Sequence, residues 1–360
     1  MSKPQPPRPL RYGEPLRQLH VNANRNPRFA LGSLGGRFTL FCVIADLAHA
    51  DSRAALAAFS QRSFNETLRL GAVFCADPGA DDPVLTDIGK TKLVFSDAEA
   101  ARACGLTDDD TPGRWVLLDP SLRALAFWPL SESQAALDAL ERTPPPDNHA
   151  GAPLHAPVLI APRVFEPEFC KLLIEYYKER GGEPSGVTQA RPDGTTYVQL
   201  DDNFKKRADC MIEDAKLREA IMHRIYWRLA PEIEKAFMWR PTRMERYLIA
   251  RYDAKGGGFF KPHRDNTTPG TAHRRFALTI NLNAGDYEGG DLRFPEFGAR
   301  TYRAPTGGAV VFSCALLHEA TPVTRGQRYA FLPFLYDEAA AKVREANNKY
   351  LDESIRPYSG

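Results

Sequence analysis

The sequence predicts an α+β protein in two parts, an α/β layer followed by an antiparallel β jelly roll or barrel with buttressing helices. Three observations carry that prediction. From residue 246 to 335, short apolar runs alternate with Gly and Pro turns every eight to fourteen residues, as in antiparallel barrels. From 37 to 118, apolar runs alternate instead with helical stretches, the pattern of an α/β layer. Between them, Glu141 to Pro153 is rich in Pro and polar residues, as linkers are. The parts are placed at 10–142 and 155–340, with a linker at 143–154 and a tail at 341–360.

In the first part, Arg37-Phe-Thr-Leu-Phe-Cys-Val-Ile44 reads as a buried strand and Ser52 to Leu70 as a helix. Ala72 to Cys75, Lys92 to Phe95 and Trp115 to Leu118 follow as short strands, with a helix over Asp97 to Cys104. The second part opens with a helix from Glu166 to Arg180, stopped by Gly181 and Gly182. A second helix runs from Ala215 to Phe237. There Leu217, Ile221, Ile225, Leu229 and Ile233 recur every four residues as one core-facing stripe, and Pro231 introduces a kink. Between these helices, the polar, Gly- and Pro-bearing segment from Pro184 to Asp202 is a candidate lid.

The strands of the second part follow in order. Arg246 to Tyr252 alternates like a strand, and Asp253-Ala-Lys-Gly-Gly-Gly258 turns the chain back through Phe259 and Phe260. Over Phe276 to Asn283 the period is strictly two. Phe276, Leu278, Ile280 and Leu282 share one face, and Ala277, Thr279, Asn281 and Asn283 share the other. A wall that is oily outside and polar inside suits a barrel around a wet cavity. Asp291 to Phe294, Gly307 to Phe312 and Arg328 to Leu335 complete the set.

Chemistry concentrates in Lys261-Pro-His-Arg-Asp-Asn266, with Leu317-His-Glu319 and Arg328 further on. Two imidazoles and one carboxylate on neighbouring strands, His263, Asp265 and His318, can occupy one face of an octahedral ion. The other face then stays open for substrate and oxygen, as in non-haem Fe(II) oxygenases. Arg328 adds a cation for the far carboxylate of an organic acid chelating that ion, with Arg325 and Arg275 next in line. His273 reads as a loop residue and Cys314 as a small buried residue, neither as a further ligand.

These pieces, in this order, resemble the catalytic domain of 2-oxoglutarate and Fe(II)-dependent dioxygenases, in its prolyl 4-hydroxylase-like branch. The resemblance covers residues of about 155 to 340 and rests on the Tyr252 strand, His263-Arg-Asp265, Ala277 to Asn283, Glu288 to Phe294, Gly307 to Phe312 and His318-x3-Pro-Val-x4-Arg328. It implies a double-stranded β-helix in which His263, Asp265 and His318 hold iron and Arg328 pairs with 2-oxoglutarate. Tyr252 and Asn281 fall where relatives also touch that cosubstrate, although Asn281 replaces a residue that is often aromatic. The implied reaction decarboxylates 2-oxoglutarate to succinate with dioxygen and hydroxylates a substrate C–H bond, with ascorbate as the reductant that keeps the iron reduced.

In the first part, Phe95-Ser-Asp97, Ala101-x-Ala-Cys-Gly-Leu106 and Trp115-x3-Asp-Pro-x-Leu-Arg-Ala-Leu125 resemble the peroxiredoxin branch of the thioredoxin fold. A peroxidatic cysteine would open the helix after the first long strand, where the helix dipole and an arginine lower its pKa. Here that stretch is Asp46-Leu-Ala-His-Ala-Asp-Ser-Arg53, without cysteine, and Cys42 lies inside the strand. The domain is therefore read as catalytically silent. Docking, dimerisation, substrate presentation and a purely structural role all stay open, so a homodimer is one assembly it allows.

Composition narrows the rest. A net charge of +2 does not argue for nucleic acid as a partner, and no apolar run approaches the roughly 18 residues that span a membrane. Met1 to Pro9 lacks the apolar core of a signal peptide and reads as a disordered tail. Six scattered cysteines without a C-x-x-C pair read as core residues of a reducing compartment, which places the chain in the cytoplasm. Three functions remain: hydroxylation of an amino-acid side chain in a protein or peptide, the prolyl side chain among them; hydroxylation of a free small molecule; and non-catalytic binding through the thioredoxin-like domain.

Overall fold

The computed structural model describes residues 10–24, 26–76, 82–104, 106, 111–353, 355 and 357–358; the expected tail at Met1 to Pro9 lies outside them. The chain divides into two units. One runs up to His155 and includes Pro295–Ala299; the other begins at Ala156 and holds the remainder.

The first unit is built on a seven-stranded mixed sheet. In spatial order its strands are Asn26–Ala30, His20–Ala23, Leu93–Ser96, Arg69–Cys75, Phe38–Ile44, Gly113–Leu118 and Ala124–Pro129. Phe38–Ile44 lies parallel to Arg69–Cys75, which lies parallel to Leu93–Ser96, and pairs antiparallel with Gly113–Leu118. All seven residues of Phe38–Ile44 are buried because both faces of the sheet are covered. Alternate side chains feed two cores: Phe41 and Val43 join Phe74, Phe95 and Val116 on one face. Leu40, Cys42 and Ile44 meet Leu56, Phe59, Trp115 and Leu137 on the other. The helix expected from Ser52 to Leu70 spans only Ala50–Ser60, and the Arg69–Cys75 strand begins before the expected helix would end. Beyond the Gln61 cap, the Asn65 side chain and carbonyl accept from Thr67 and Leu68 in a local turn that competes with helix.

In the second unit the strands pair antiparallel in two main sheets. The larger runs Arg243–Glu245, Phe334–Tyr336, Phe276–Asn281, Gln327–Phe331, Leu248–Asp253, Ala208–Met211, Glu183–Pro184, with Ala309–Ser313 and Leu159–Ala161 paired off Phe276–Asn281. The smaller runs Lys205–Lys206, Phe259–His263, His318–Ala320, Leu292–Arg293, Thr301–Tyr302. Leu278, Ile280 and Leu282 do form the oily outer face of the larger sheet. They pack with Ile249 and Phe331 against Phe169 and Leu173 of the Pro167–Arg180 helix and against Ile221, Ile225, Leu229 and Ile233.

The second helical stretch is Ala215–Arg224, a π segment Ile225–Leu229, then Ala230–Phe237. Pro231 has no N–H to donate and its ring crowds the carbonyl four residues back, so the chain widens ahead of it. The Ala230 N–H accordingly donates to the Ile225 carbonyl, one residue further than in an α-helix.

The stretch expected as a tail at 341–360 is partly helical. A helix spans Glu338–Ala346 and enters that range with Ala341 buried, because Arg344 is held by the buried Glu245 carboxylate at 2.7 Å. No helix among the described residues is long and apolar enough to cross a membrane.

Candidate metal centre and its cavity

The site sits between the two sheets of the second unit. From Leu248–Asp253, which carries Tyr252, the chain turns through Ala254–Gly256 into Phe259–His263. Gly257 has φ +63, and a Cβ on Gly258 would stand 2.7 Å from the Asp253 nitrogen, so this reversal needs its glycines. His263 then faces His318 across an antiparallel pair, with Asp265 just past the strand end, where its N–H donates to the Cys314 carbonyl at 2.9 Å. Tyr252 faces Arg328 in the same manner across Leu248–Asp253 and Gln327–Phe331. Sheet register alone brings four widely separated residues to one place.

His263 Nε2 lies 3.5 Å and His318 Nε2 3.3 Å from the Asp265 carboxylate oxygens, and the three ligand atoms fall within 4.8 Å of one another. Both imidazoles have their tautomer fixed. His263 Nδ1 is 2.8 Å from the Lys261 carbonyl and His318 Nδ1 3.0 Å from the Leu316 carbonyl. A carbonyl only accepts, so each Nδ1 carries the proton and each Nε2 turns a lone pair toward Asp265. Burial pushes the His318 imidazole down to about 4, against the pull of Asp265. Burial alone would raise the Asp265 carboxyl, but His318 and His263 hold it well below the usual carboxylate range. The cluster therefore presents two imidazole nitrogens and one carboxylate, a donor set that fits a divalent ion. The Phe260 ring stacks on His263 with centroids 3.5 Å apart and fixes its plane.

Arg328 lines the same cavity and is 2% exposed. Its Nε has no hydrogen-bond partner, and among the described residues its guanidinium pairs with no carboxylate. It lies over the Tyr252 ring at 4.9 Å. Gly290, at φ +67, leaves room for it: a Cβ there would stand 3.1 Å from Arg328 Cδ. A buried cation left without an anion is costly unless a ligand supplies one, which is what a cosubstrate carboxylate would do.

The structure thus brings together His263, Asp265, His318, Arg328 and Tyr252. Asn281, the remaining residue of the expected cosubstrate contacts, is buried. It does not line the cavity; its amide donates to the Ala304 carbonyl at 2.8 Å and secures that loop. The lid candidate at 184–202 forms a hairpin of Val187–Ala190 with Thr196–Gln199 and contributes no lining residue. His273 is buried with Nε2 3.1 Å from Glu245, away from the triad, and Cys314 is buried. Arg207, Arg246 and Thr279 also line the cavity. The first two were missed because no spacing distinguishes them among forty-seven Lys and Arg residues.

Residues 247–336 match the 2OG-Fe(II) oxygenase superfamily. The chain is 35% identical over 99 residues to a PKHD-type hydroxylase of Cupriavidus metallidurans, covering 25% of this chain and 42% of that protein. It is 33% identical over 124 residues to one of Delftia acidovorans, covering 32% and 52%. The chain therefore spans about half the length of these curated relatives, or less. A prolyl-4-hydroxylase structure from Pseudomonas putida aligns with 53% of this chain and 96% of its own, at 20% identity and a TM-score of 0.38. The family matched over residues 247–336 is one of oxidoreductases that use Fe(II), 2-oxoglutarate and dioxygen.

Proposed function

We propose that the protein is an Fe(II)- and 2-oxoglutarate-dependent dioxygenase, with its second unit a double-stranded β-helix, that hydroxylates an amino-acid side chain in a protein or peptide. The prolyl side chain is the first candidate, and the hydroxylase names of the relatives support the reaction class. The observation that carries the reading is a two-histidine, one-carboxylate cluster opening onto the same cavity as a buried arginine without an anion.

His263, Asp265 and His318 would hold the iron through two Nε2 atoms and a carboxylate. Bound iron and 2-oxoglutarate would supply the oxidative chemistry, hydroxylation coupled to decarboxylation of the cosubstrate to succinate. The chain's own work is positional. The Lys261 and Leu316 carbonyls keep the imidazole protons on Nδ1. Arg328 binds the distal carboxylate of the cosubstrate as a guanidinium fork, and Tyr252 packs against it. Phe260, Leu292, Phe312 and Phe334 give the cavity apolar walls that limit competing water.

The first unit fits a thioredoxin- or peroxiredoxin-like domain without chemistry of its own. Its cysteines 42, 75 and 104 are all buried, and burial pushes the Cys42 and Cys104 thiols far up, away from thiolate reactivity. A cytoplasmic setting accords with six free cysteines.

Succinate release tests the proposal. The protein should form succinate only with Fe(II), 2-oxoglutarate and dioxygen all present. Arg328→Ala should raise the 2-oxoglutarate KM by an order of magnitude or more, since an unpaired buried carboxylate costs roughly 3–5 kcal/mol. Equal KM values in the two proteins would place the anchor elsewhere.

A further inference from the structure

Three guanidinium groups line the cavity, those of Arg207, Arg246 and Arg328. The carboxylates that could balance them are already engaged. Asp265 belongs to the triad, and one oxygen of Asp209 serves two arginines, at 2.6 Å from Arg207 and 3.4 Å from Arg246. Glu245, the next carboxylate along the wall, is held by Arg274 and Arg344. Lys205 does not line the cavity, and its ammonium donates to the Ser185 hydroxyl and the Gly186 carbonyl, so it supplies no anion. A divalent metal and a doubly charged 2-oxoglutarate would cancel one another, so the three lining guanidinium groups, set against Asp265 in the lining and Asp209 behind it, keep one positive charge in excess. Excess charge in a buried wall is costly until a counter-ion accompanies it.

A second observation points to the same place. The Arg207 side chain is 5% exposed, yet its Nε has no hydrogen-bond partner. Its other nitrogens reach Asp209, Ser185 and, at 3.4 Å, the Tyr252 hydroxyl. Arg246 is the more accessible of the two and stands at the break between Arg243–Glu245 and Leu248–Asp253, where φ is +65. The pair is thus held against the cavity by a shared carboxylate and keeps donor capacity unspent.

We propose that Arg246, with Arg207 beside it, is a substrate-carboxylate subsite, so that the hydroxylated molecule carries an acidic group close to its reacting side chain. This rests on the oxygenase reading, in which Arg328 is committed to the cosubstrate. A guanidinium fork matches a carboxylate in shape and charge. The carboxylate can belong to a free amino acid or to a peptide.

The test is calorimetric titration of the anaerobic protein loaded with Fe(II) and saturating 2-oxoglutarate, using glycine, N-acetylglycine and N-acetylglycinamide as probes. At least one acid should bind, and the uncharged amide should bind on the order of tenfold more weakly or worse. Preference for glycine assigns a free amino acid, and preference for N-acetylglycine a peptide carboxylate. Arg246→Gln should lose roughly tenfold or more of the acid binding, and Arg246→Lys should recover part of it. No acid binding, equal binding of the amide, or an Arg246→Gln protein that binds acid as well as wild type overturns the subsite. Loss of 2-oxoglutarate binding in Arg246→Gln also overturns it by assigning the cluster to the cosubstrate. The visible charge-transfer band of the Fe(II)–2-oxoglutarate complex separates the two failures. Its absence from wild type sinks the oxygenase reading and this inference with it; its presence without acid discrimination sinks this inference alone.

Discussion

At the scale of single residues, the loop that carries Asp265 depends on a buried carboxylate, Glu245, whose partners are all protein groups. Glu245 is 7% exposed and bonds Arg274 and Arg344, each at 2.7 Å, with His273 3.1 Å away. Arg274 in turn reaches the Asp265 carbonyl at 3.4 Å, so this carboxylate steadies the loop that carries a proposed ligand. Burial by itself would raise the Glu245 carboxyl, but Arg274, His273 and Arg344 outweigh it and hold the group well below its ordinary value of 4.5. A depressed folded pKa means the unfolded chain binds the proton more readily. The stabilisation is therefore complete above about pH 5 and is lost as pH falls through and below the unfolded value. Glu245→Gln leaves two partly buried arginines without their anion and should cost roughly 3–5 kcal/mol at pH 7. In urea unfolding the gap between wild type and this variant should narrow steadily from pH 5 to pH 3; a gap that does not change with pH would refute the account of Glu245.

At the scale of elements, the sequence was most informative where a period was unbroken. The four-residue stripe from Leu217 to Ile233 packs on the larger sheet as its spacing requires, and Phe276 to Leu282 divides its faces as strict alternation requires. What alternation could not show is where each polar side chain turns. Ala277 and Thr279 reach the cavity, but Asn281 bends to the Ala304 carbonyl, because a loop acceptor from far along the chain needs a donor there. Helix ends were legible only through local turn chemistry: Gly181, at φ +75, closes Pro167–Arg180, whereas the Asn65 turn that follows Ala50–Ser60 carries no glycine or proline signal. The stripe makes a direct prediction. Ile233 is fully buried, and Ile233→Ala should cost about 2–5 kcal/mol in urea unfolding. Trp227, two-thirds exposed on the other side of the same helical stretch, should cost well under that as Trp227→Ala. Equal losses would mean the helix is not seated as described.

At the scale of the whole molecule, two units share one chain, and the proposed chemistry resides in one of them. The triad, Arg328 and Tyr252 all belong to the unit that begins at Ala156. The α/β layering of the first unit was legible because Phe38–Ile44 is an unbroken apolar run. Its edge strands were not, since Asn26–Ala30 mixes polar and apolar residues without a period and Ala124–Pro129 is only partly buried. If that unit is chemically silent, the purified protein should show no thiol peroxidase activity, and Cys42→Ser should alter stability alone. A peroxidase rate that disappears with Cys42, Cys75 or Cys104 would contradict this and make the protein a bifunctional redox enzyme. The central claim, that His263, Asp265 and His318 together hold a catalytic iron, is tested most directly by anaerobic Fe(II) titration of wild type beside His263→Ala and His318→Ala. Wild type should take up about one Fe(II) per chain and each variant should lose that uptake while remaining folded; unchanged stoichiometry in both variants would contradict the claim.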